Sequence, residues 1–410
     1  MSPALALLVA LVVPYLGLLL LIAVGVVWPS RPKPPAVPKR WPSVDLIVPA
    51  HNEASALPRT LEALRLLEYP GELTVIVVDD RSTDATPDVV RAAAHRDPRL
   101  RLVRVCQPSR RWSPKVHAVW HGLRSSDGDI VMTTDADCRL PSGWVLSMAA
   151  AFADPRVVLS LGVVTTQGPG EAHGFRERFE AIDWLSLMLT SRSLARFGWS
   201  VASSANAQAY RRAAFERVGG FGLAARAPSG DEDLLAQRLG RLPGARTAFV
   251  DDPATHVVTR PMPSWGALLQ QRQRWVSRYQ HVDQYHPLFW LAITLLGAQS
   301  LALSVAVLSL PFAPGAATTV LTLWAAKLAI EIVGAHIGLA RLGRSDLAGA
   351  AVVGWALLHP LFISTALVAS LIRPASWRAT RGSYRRRLWQ ARWRRWRRSR
   401  KRVQERTLLR

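Results

Sequence analysis

Cysteine is nearly absent: Cys106 and Cys138 are the two in 410 residues. Two thiols exclude a disulfide framework and a multi-cysteine zinc module, and they fit a reducing compartment. Acidic residues are also scarce, 29 Asp and Glu against 52 Lys and Arg, a formal net charge of +23. Residues 373–410 hold 15 Arg and 1 Lys against 1 Glu, so this tail supplies +15 and leaves +8 for everything else. The extreme basicity therefore belongs to one terminal segment and does not make the whole chain a nucleic-acid binder. No internal repeat occurs, and no low-complexity stretch outside that tail. With 49% hydrophobic residues a fully disordered chain is excluded. The length allows one globular domain of roughly 250 residues plus several membrane segments.

Four long apolar runs supply those segments. Residues 4–28 carry no charge and are long enough to cross about 30 Å of hydrocarbon as a helix. A cleaved signal peptide would want a basic start and a shorter apolar run, and neither is present. Arg31, Lys33, Lys39 and Arg40 follow in a proline-rich linker over 31–43. Lys and Arg just past a span mark the cytoplasmic side, which makes the central domain cytoplasmic and the expected location the cell inner membrane. Three further runs, 287–310, 316–340 and 347–372, follow the central domain. The second contains Lys327 and Glu331, four apart on one helical face, a pair that either serves function or fixes helix packing. Three full crossings would place the Arg-rich tail outside, against the positive-inside rule. One run is therefore expected not to cross, through a hairpin broken at His359-Pro360 or an interfacial helix over 287–310.

Between linker and membrane region, residues 44–286 alternate strand and helix patterns. Val44–Pro49, Leu73–Val78, Leu100–Val105 and Ile130–Thr134 read as strands, and Ser55–Glu68 and Pro114–Leu123 as helices. That alternation predicts an α/β fold with a mostly parallel sheet. Ligands of such sheets sit at the carboxyl ends of strands. Polar residues follow three of the runs there: His51-Asn52-Glu53, Asp79-Asp80, and Asp135 with Asp137.

Each motif has a plain alternative. Asp135-Ala-Asp137 puts two carboxylates on one side of a strand end, a fit for Mg²⁺ or Mn²⁺ completed by nucleotide phosphates; a lone D-x-D is a solvated turn. Asp79 and Asp80 either pair with Arg81 or accept hydrogen bonds from a base or ribose. Lys115, at a helix start, is a candidate phosphate contact or an ordinary exposed lysine. Asp231-Glu232-Asp233 opens an apolar helix, either as helix-dipole compensation or as the source of a general base. Gln271, Arg274 and Trp275 offer a guanidinium for a phosphate and an indole for an acceptor, or else an interfacial belt. In the tail, Trp389, Trp393 and Trp396 share one helical face among arginines, so 385–402 reads as a basic interfacial helix on anionic lipid headgroups, and nucleic acid is not an expected partner.

In order along the chain, Val48–Glu53, Val78–Asp84, Thr134–Asp137, Ala209–Phe221, the acidic 231–233 cluster and the QxxRW element at Gln271–Trp275 resemble the membrane-integrated branch of the family 2 glycosyltransferases. That branch includes ceramide glucosyltransferase and polysaccharide synthases. The resemblance implies a GT-A fold and inverting hexosyl transfer from a nucleotide-sugar, expected to be a UDP-sugar, with Mg²⁺ or Mn²⁺. Pro49, His51, Asn52, Glu53, Asp79, Asp80, Lys115, Asp135, Gln271, Arg274 and Trp275 would contact the donor, and Asp135 and Asp137 the metal. The base would come from Asp231, Glu232 or Asp233, with Asp231 preferred. The acceptor would be a membrane lipid or lipid-linked molecule. A processive polysaccharide synthase subunit is the runner-up, and a non-catalytic nucleotide-binding membrane scaffold the alternative of another class.

Overall fold

The computed structural model describes residues 2–28, 40–109, 112–222, 230–276 and 285–372. The basic tail, including 385–402, and most of the 31–43 linker lie outside the described residues. In chain order the elements are α1 (Pro3–Val27), β1 (Val44–Ala50), α2 (Leu57–Arg65), β2 (Leu73–Asp80), α3 (Thr86–Ala94), β3 (Leu100–Val105), α4 (Pro114–Arg124), β4 (Ile130–Thr133) and α5 (Trp144–Ala150). They continue with β5 (Val157–Gly162), β6 (Val164–Thr165), α6 (Phe175–Arg196), β7 (Gln208–Arg211), α7 (Arg212–Arg217), α8 (Asp231–Gly240), β8 (Arg246–Val250), β9 (Val257–Val258) and α9 (Trp265–Val276). Last come α10 (Pro287–Ser309), α11 (Ala317–Arg341) and α12 (Ala350–Ile372).

Val, Ile and Leu dominate β1, β2 and β4, and these strands are buried on both faces, which the middle of a parallel sheet requires. The main sheet runs β3-β2-β1-β4-β7-β5-β8. Its β3-β2-β1-β4 half is parallel, β7 is antiparallel to both neighbours, and β8 is parallel to β5. A GT-A-like, mostly parallel sheet with flanking helices is thus present, as the alternating pattern predicts. Because β1 and β4 are adjacent and parallel, the chain after Ala50 and the chain after Thr133 emerge at the same edge. Phe179, Trp184 and Leu185 of α6 lie in the same buried cluster as Val48, Met132 and Trp144, so α6 belongs to the domain core.

Four helices, α1, α10 with its short extension, α11 and α12, are long and apolar enough to cross a membrane. Their ends are tied to the domain in different ways. The last carbonyls of α1 would be orphaned, as at any helix end. Buried Arg192 of α6 donates to Gly25 O at 2.7 Å while pairing with Asp251 at 2.6 Å, and Ser193 Oγ donates to Ile22 O. A Cβ on Gly25 would sit 2.8 Å from Ser193 Cα, so only glycine permits this approach. Phe289, at the start of α10, packs with Leu194, Val201 and Leu234 of the domain.

α12 behaves differently. Half of its apolar window is buried within the protein, against 17–22% for the other three. It contacts domain elements along its length: Gly354 faces Phe175, His359 meets Asp183, Phe362 packs on Phe179, and Ala369 O accepts from Gln273. The hairpin expected at His359-Pro360 is not formed, because Pro360 lies inside a continuous helix. Packing against α6 and α9 holds that helix together despite the backbone bond a proline removes. Over 287–310 the chain forms α10, an unbroken 23-residue helix, a form that the interfacial alternative and a crossing share.

Lys327 and Glu331 form a buried pair at 2.5 Å, and Tyr15 of α1 donates to the same carboxylate at 3.1 Å. Removing one partner of a buried pair leaves an uncompensated charge, whereas replacing both is nearly neutral. Glu331→Leu should therefore lower unfolding stability in detergent by about 3–5 kcal/mol. Lys327→Met combined with Glu331→Leu should recover most of that loss in a thermal melt. Equal losses in the single and double variants would show that the pair contributes only packing.

Candidate active site

The cleft opens where β1 and β4 end. Its wall contains Pro49 from β1, Thr133, Thr134 and Asp135 at the end of β4, Lys115 and Val119 of α4, and Gln208 and Tyr210 of β7. Asp231, Glu232 and Leu235 at the start of α8 close it. Lys115 Nζ donates to Asp135 Oδ1 at 2.6 Å. Burial pulls the Lys115 ammonium down, but Asp135, Glu232 and Asp231 outweigh it and hold the group above its usual range. Its charge is therefore secure, and it points at the strand-end carboxylates.

Asp231 is the first helical residue of α8 after Gly230, whose φ of 85° suits a residue without a Cβ. Burial and the neighbouring Glu232 raise the Asp231 carboxyl well above its ordinary range, with Lys115 pulling the other way. A carboxylate so raised is a stronger base once deprotonated. Asp233 differs: it is buried and accepts from the Ser203 N–H at 2.7 Å, so it fixes the loop before β7 and does not line the cleft.

Burial and the adjacent Asp135 raise the Asp137 carboxyl, and Lys115 and Arg260 oppose that shift. Two like-charged carboxylates forced together at a strand end are the donor set that a hard divalent cation relieves. Among the described residues no group of three or more His, Cys, Asp or Glu side chains is placed to hold a metal. The residues fit Mg²⁺ or Mn²⁺ bound through Asp135 and Asp137, with phosphate oxygens of a substrate completing the shell.

The β1 and β2 tips form a second patch beside the cleft. Asn52, in the left-handed region at φ 57°, donates its N–H to Ser82 Oγ and accepts from the Thr83 N–H. His51 Nδ1 lies 2.7 Å from Asp80 O, and the Glu53 N–H donates to Thr86 Oγ1. Asp80 takes a two-pronged contact from Arg81, while Asp79 accepts from the Ser82 N–H and from Arg104. These polar groups stitch two loops together, and of the β1 tip Pro49 alone reaches the cleft wall.

The QxxRW segment lies on α9 and is not in the cleft wall either. Its most buried cation is not Arg274 but the intervening Arg272, which pairs with Asp183 of α6 at 2.5 Å. The Arg272 guanidinium lies 4.1 Å from the Trp275 ring centroid and donates to Gln271 Oε1. The sequence pattern marks neither Arg272 nor Asp183 and marks His359 only as a helix break, because one arginine in an Arg-rich motif carries no sign of burial.

The chain as a whole is similar to known proteins. The Glycosyl transferase family 2 model matches residues 45–219. An N-acetylglucosaminyltransferase of Bradyrhizobium elkanii is 33% identical over 133 residues, 32% of this chain and 70% of that relative. The chain is a family 2 glycosyltransferase. A beta-monoglucosyldiacylglycerol synthase of Synechocystis is 34% identical over 116 residues, 28% of this chain and 24% of the relative. Among solved structures, the mannosyltransferase PcManGT of Pyrobaculum calidifontis, in complex with GDP-Man and Mn²⁺, aligns with TM-score 0.59 and 25% identity over 90% of this chain and 99% of that one. This glycosyltransferase spans about half the length of the first curated relatives it matches. Its apolar helices mark it as membrane-associated.

Near Arg272, Glu180 of α6 is buried and accepts from the Met262 N–H with both oxygens, at 3.0 and 3.1 Å. Burial pushes its pKa from 4.5 up to about 7, against the pull of Met262, Arg272 and Arg176. The folded enzyme thus holds this proton more tightly than the unfolded chain does. The stability it contributes is complete below pH 4.5 and is lost as pH rises through about 7. Between pH 5 and 8 the loss should be about 2.5 kcal/mol, and Glu180→Gln should flatten that part of the profile. Thermal unfolding across the range decides it, and an unchanged slope in the variant would assign the pH dependence to other groups.

Proposed function

We propose that the protein is a membrane-embedded, inverting hexosyltransferase that moves one sugar from a nucleotide diphosphate donor to a lipid or lipid-linked acceptor. Its catalytic domain would face the cytoplasm at the inner membrane, the side to which the 31–40 basic residues point. The observation that carries the reading is the convergence of Lys115, Asp135 and Asp231 on one cleft at the ends of β1 and β4. Similarity over 90% of the chain to a mannosyltransferase bound to GDP-Man and Mn²⁺ supports a metal-assisted nucleotide-sugar donor, and the relative named as a glucosyldiacylglycerol synthase supports a lipid acceptor.

The donor's diphosphate would lie against Lys115, its base and ribose towards the Asp79–Asp80 side. When bound at Asp135 and Asp137, Mg²⁺ or Mn²⁺ would supply positive charge that neutralises the departing diphosphate. Asp231 removes the acceptor hydroxyl's proton as the oxygen attacks the anomeric carbon. One displacement forms the new glycosidic bond and breaks the old one with inversion, so no sugar–enzyme bond arises. Glu232, against Asp231, raises its basicity through like-charge repulsion. Gln271, Arg274 and Trp275 would close over diphosphate and acceptor. The relatives named as N-acetylglucosaminyltransferases favour a UDP-linked amino sugar, and the solved neighbour's GDP-Man makes GDP-mannose the main competitor.

Nucleotide release by the full-length enzyme in detergent, over a panel of both donor types with membrane lipid and Mn²⁺ or Mg²⁺, tests this. One donor should give metal-dependent, lipid-dependent release that Asp137→Ala abolishes. Asp231→Asn should lower kcat by about 10²–10⁴-fold and Glu232→Gln by less. Asp233→Asn should chiefly lower the melting temperature. An active Asp231→Asn with a dead Glu232→Gln would move the base to Glu232. Long polymer among the products would overturn single transfer in favour of a processive synthase.

A further inference from the structure

Three elements far apart in sequence meet at the carboxylate of Asp183. Arg272 of α9 reaches it with Nε at 2.7 Å and with a second nitrogen at 2.5 Å. His359 of α12 approaches its other oxygen with Nε2 at 3.3 Å. All three side chains are buried. Burial alone would push the Asp183 carboxyl up; Arg272 and His359 outweigh it and hold it well below the usual range. The same guanidinium covers the Trp275 ring and donates to Gln271, so one cation touches two residues of the QxxRW element. Trp275 in turn packs edge-on against Trp184, the neighbour of Asp183, with centroids 5.0 Å apart.

Stability does not account for this arrangement. Buried ion pairs are often replaceable by apolar residues at no loss, because desolvation consumes most of the attraction. One turn before His359, Trp355 Nε1 is buried without a hydrogen-bond partner among the described residues, as is Nδ1 of His359 itself. Each such group costs about 1–3 kcal/mol that an apolar side chain would avoid. What the network does supply is geometry: a planar guanidinium held at fixed angle between a carboxylate and an indole.

We propose that His359 and Asp183 are positioning residues for glycosyl transfer, acting through Arg272 to orient Gln271 and Trp275 and thereby tying the active-site helix α9 to the apolar helix α12. The inference rests on the transferase reading given above. Movement of α12, the helix most embedded against the domain, would then reset the QxxRW segment, which links the state of the membrane region to turnover.

The test uses the full-length enzyme in lipid nanodiscs with 5-fluorotryptophan incorporated, the Trp275 ¹⁹F resonance being assigned with Trp275→Phe. His359→Leu keeps the helix apolar but removes the contact to Asp183. His359→Gln places an amide N–H close to where the imidazole Nε2 stands. The Trp275 resonance should shift or broaden in His359→Leu and return in His359→Gln. Transfer kcat should fall about 10–100-fold in His359→Leu, with donor KM within about threefold of wild type, and recover in His359→Gln. Arg272→Lys, which keeps the charge and loses the fork and the stacking, should resemble His359→Leu. An unmoved Trp275 resonance, or wild-type kcat in His359→Leu, would overturn the proposal. So would equal losses in the Leu and Gln variants. A wild-type enzyme silent with every donor would count against the transferase reading, while the resonance still decides the link between α12 and α9.

Discussion

Taking a guanidinium and a carboxylate out of water together is expensive, and the chain does so between α6 and α9 at Arg272 and Asp183. Much else depends on that pair. α6 is built into the domain core through Phe179 and Leu185, so Asp183 is fixed by the sheet side of the molecule. α9 has little apolar surface of its own; Leu268 is its one fully buried aliphatic side chain. Its orientation therefore comes from polar and aromatic contacts: Arg272 to Asp183, Trp275 to Trp184, Trp265 to Phe179. Such contacts are directional, whereas an apolar seam of the same area would tolerate sliding. Directional contacts of this kind fix the roll of α9 as well as its position.

The cleft at the ends of β1 and β4 applies the same logic of opposed charges. Asp135, Asp137, Asp231 and Glu232 bring four carboxyl groups to one edge of the sheet, and among the described residues Lys115 is the one cation in the cleft wall. Burial and mutual repulsion raise Asp137 and Asp231, and Lys115 is held charged by the carboxylates around it. Among the described residues carboxyl groups outnumber cations there, a balance that a divalent cation would relieve.

Sheet and cleft were legible in the sequence because their signals are local. Val44–Pro49, Leu73–Val78 and Ile130–Thr134 each read as buried strands, and the carboxylates that follow them fall at the edge where β1 and β4 emerge. Adjacent parallel strands leave no other place for those residues. Which of three consecutive acids faces the cleft was not legible, since helix α8 turns by about 100° per residue and the answer depends on its roll against β7. Likewise nothing within Gln271–Trp275 distinguishes Arg272 from Arg274: both are arginines on one turn, and burial is set by Asp183, almost ninety positions away. His359-Pro360 reads as a break because proline deletes a backbone bond, yet α6 and α9 packing against both sides of it keeps α12 helical.

α12 therefore differs in kind from α1 and α10. α1 is held to the domain at its last turn through Arg192, and α10 at its first through Phe289; both then pass out of reach of the domain core. A helix attached at one end transmits little of its own tilt. α12 is held at Gly354, His359, Phe362 and Ala369, so any rotation of it must be accommodated by Phe175, Asp183, Phe179 and Gln273 together. Packed interiors shift between discrete arrangements and do not deform continuously. Placing the directional Asp183 pair at the centre of that contact makes α9 the element that must respond.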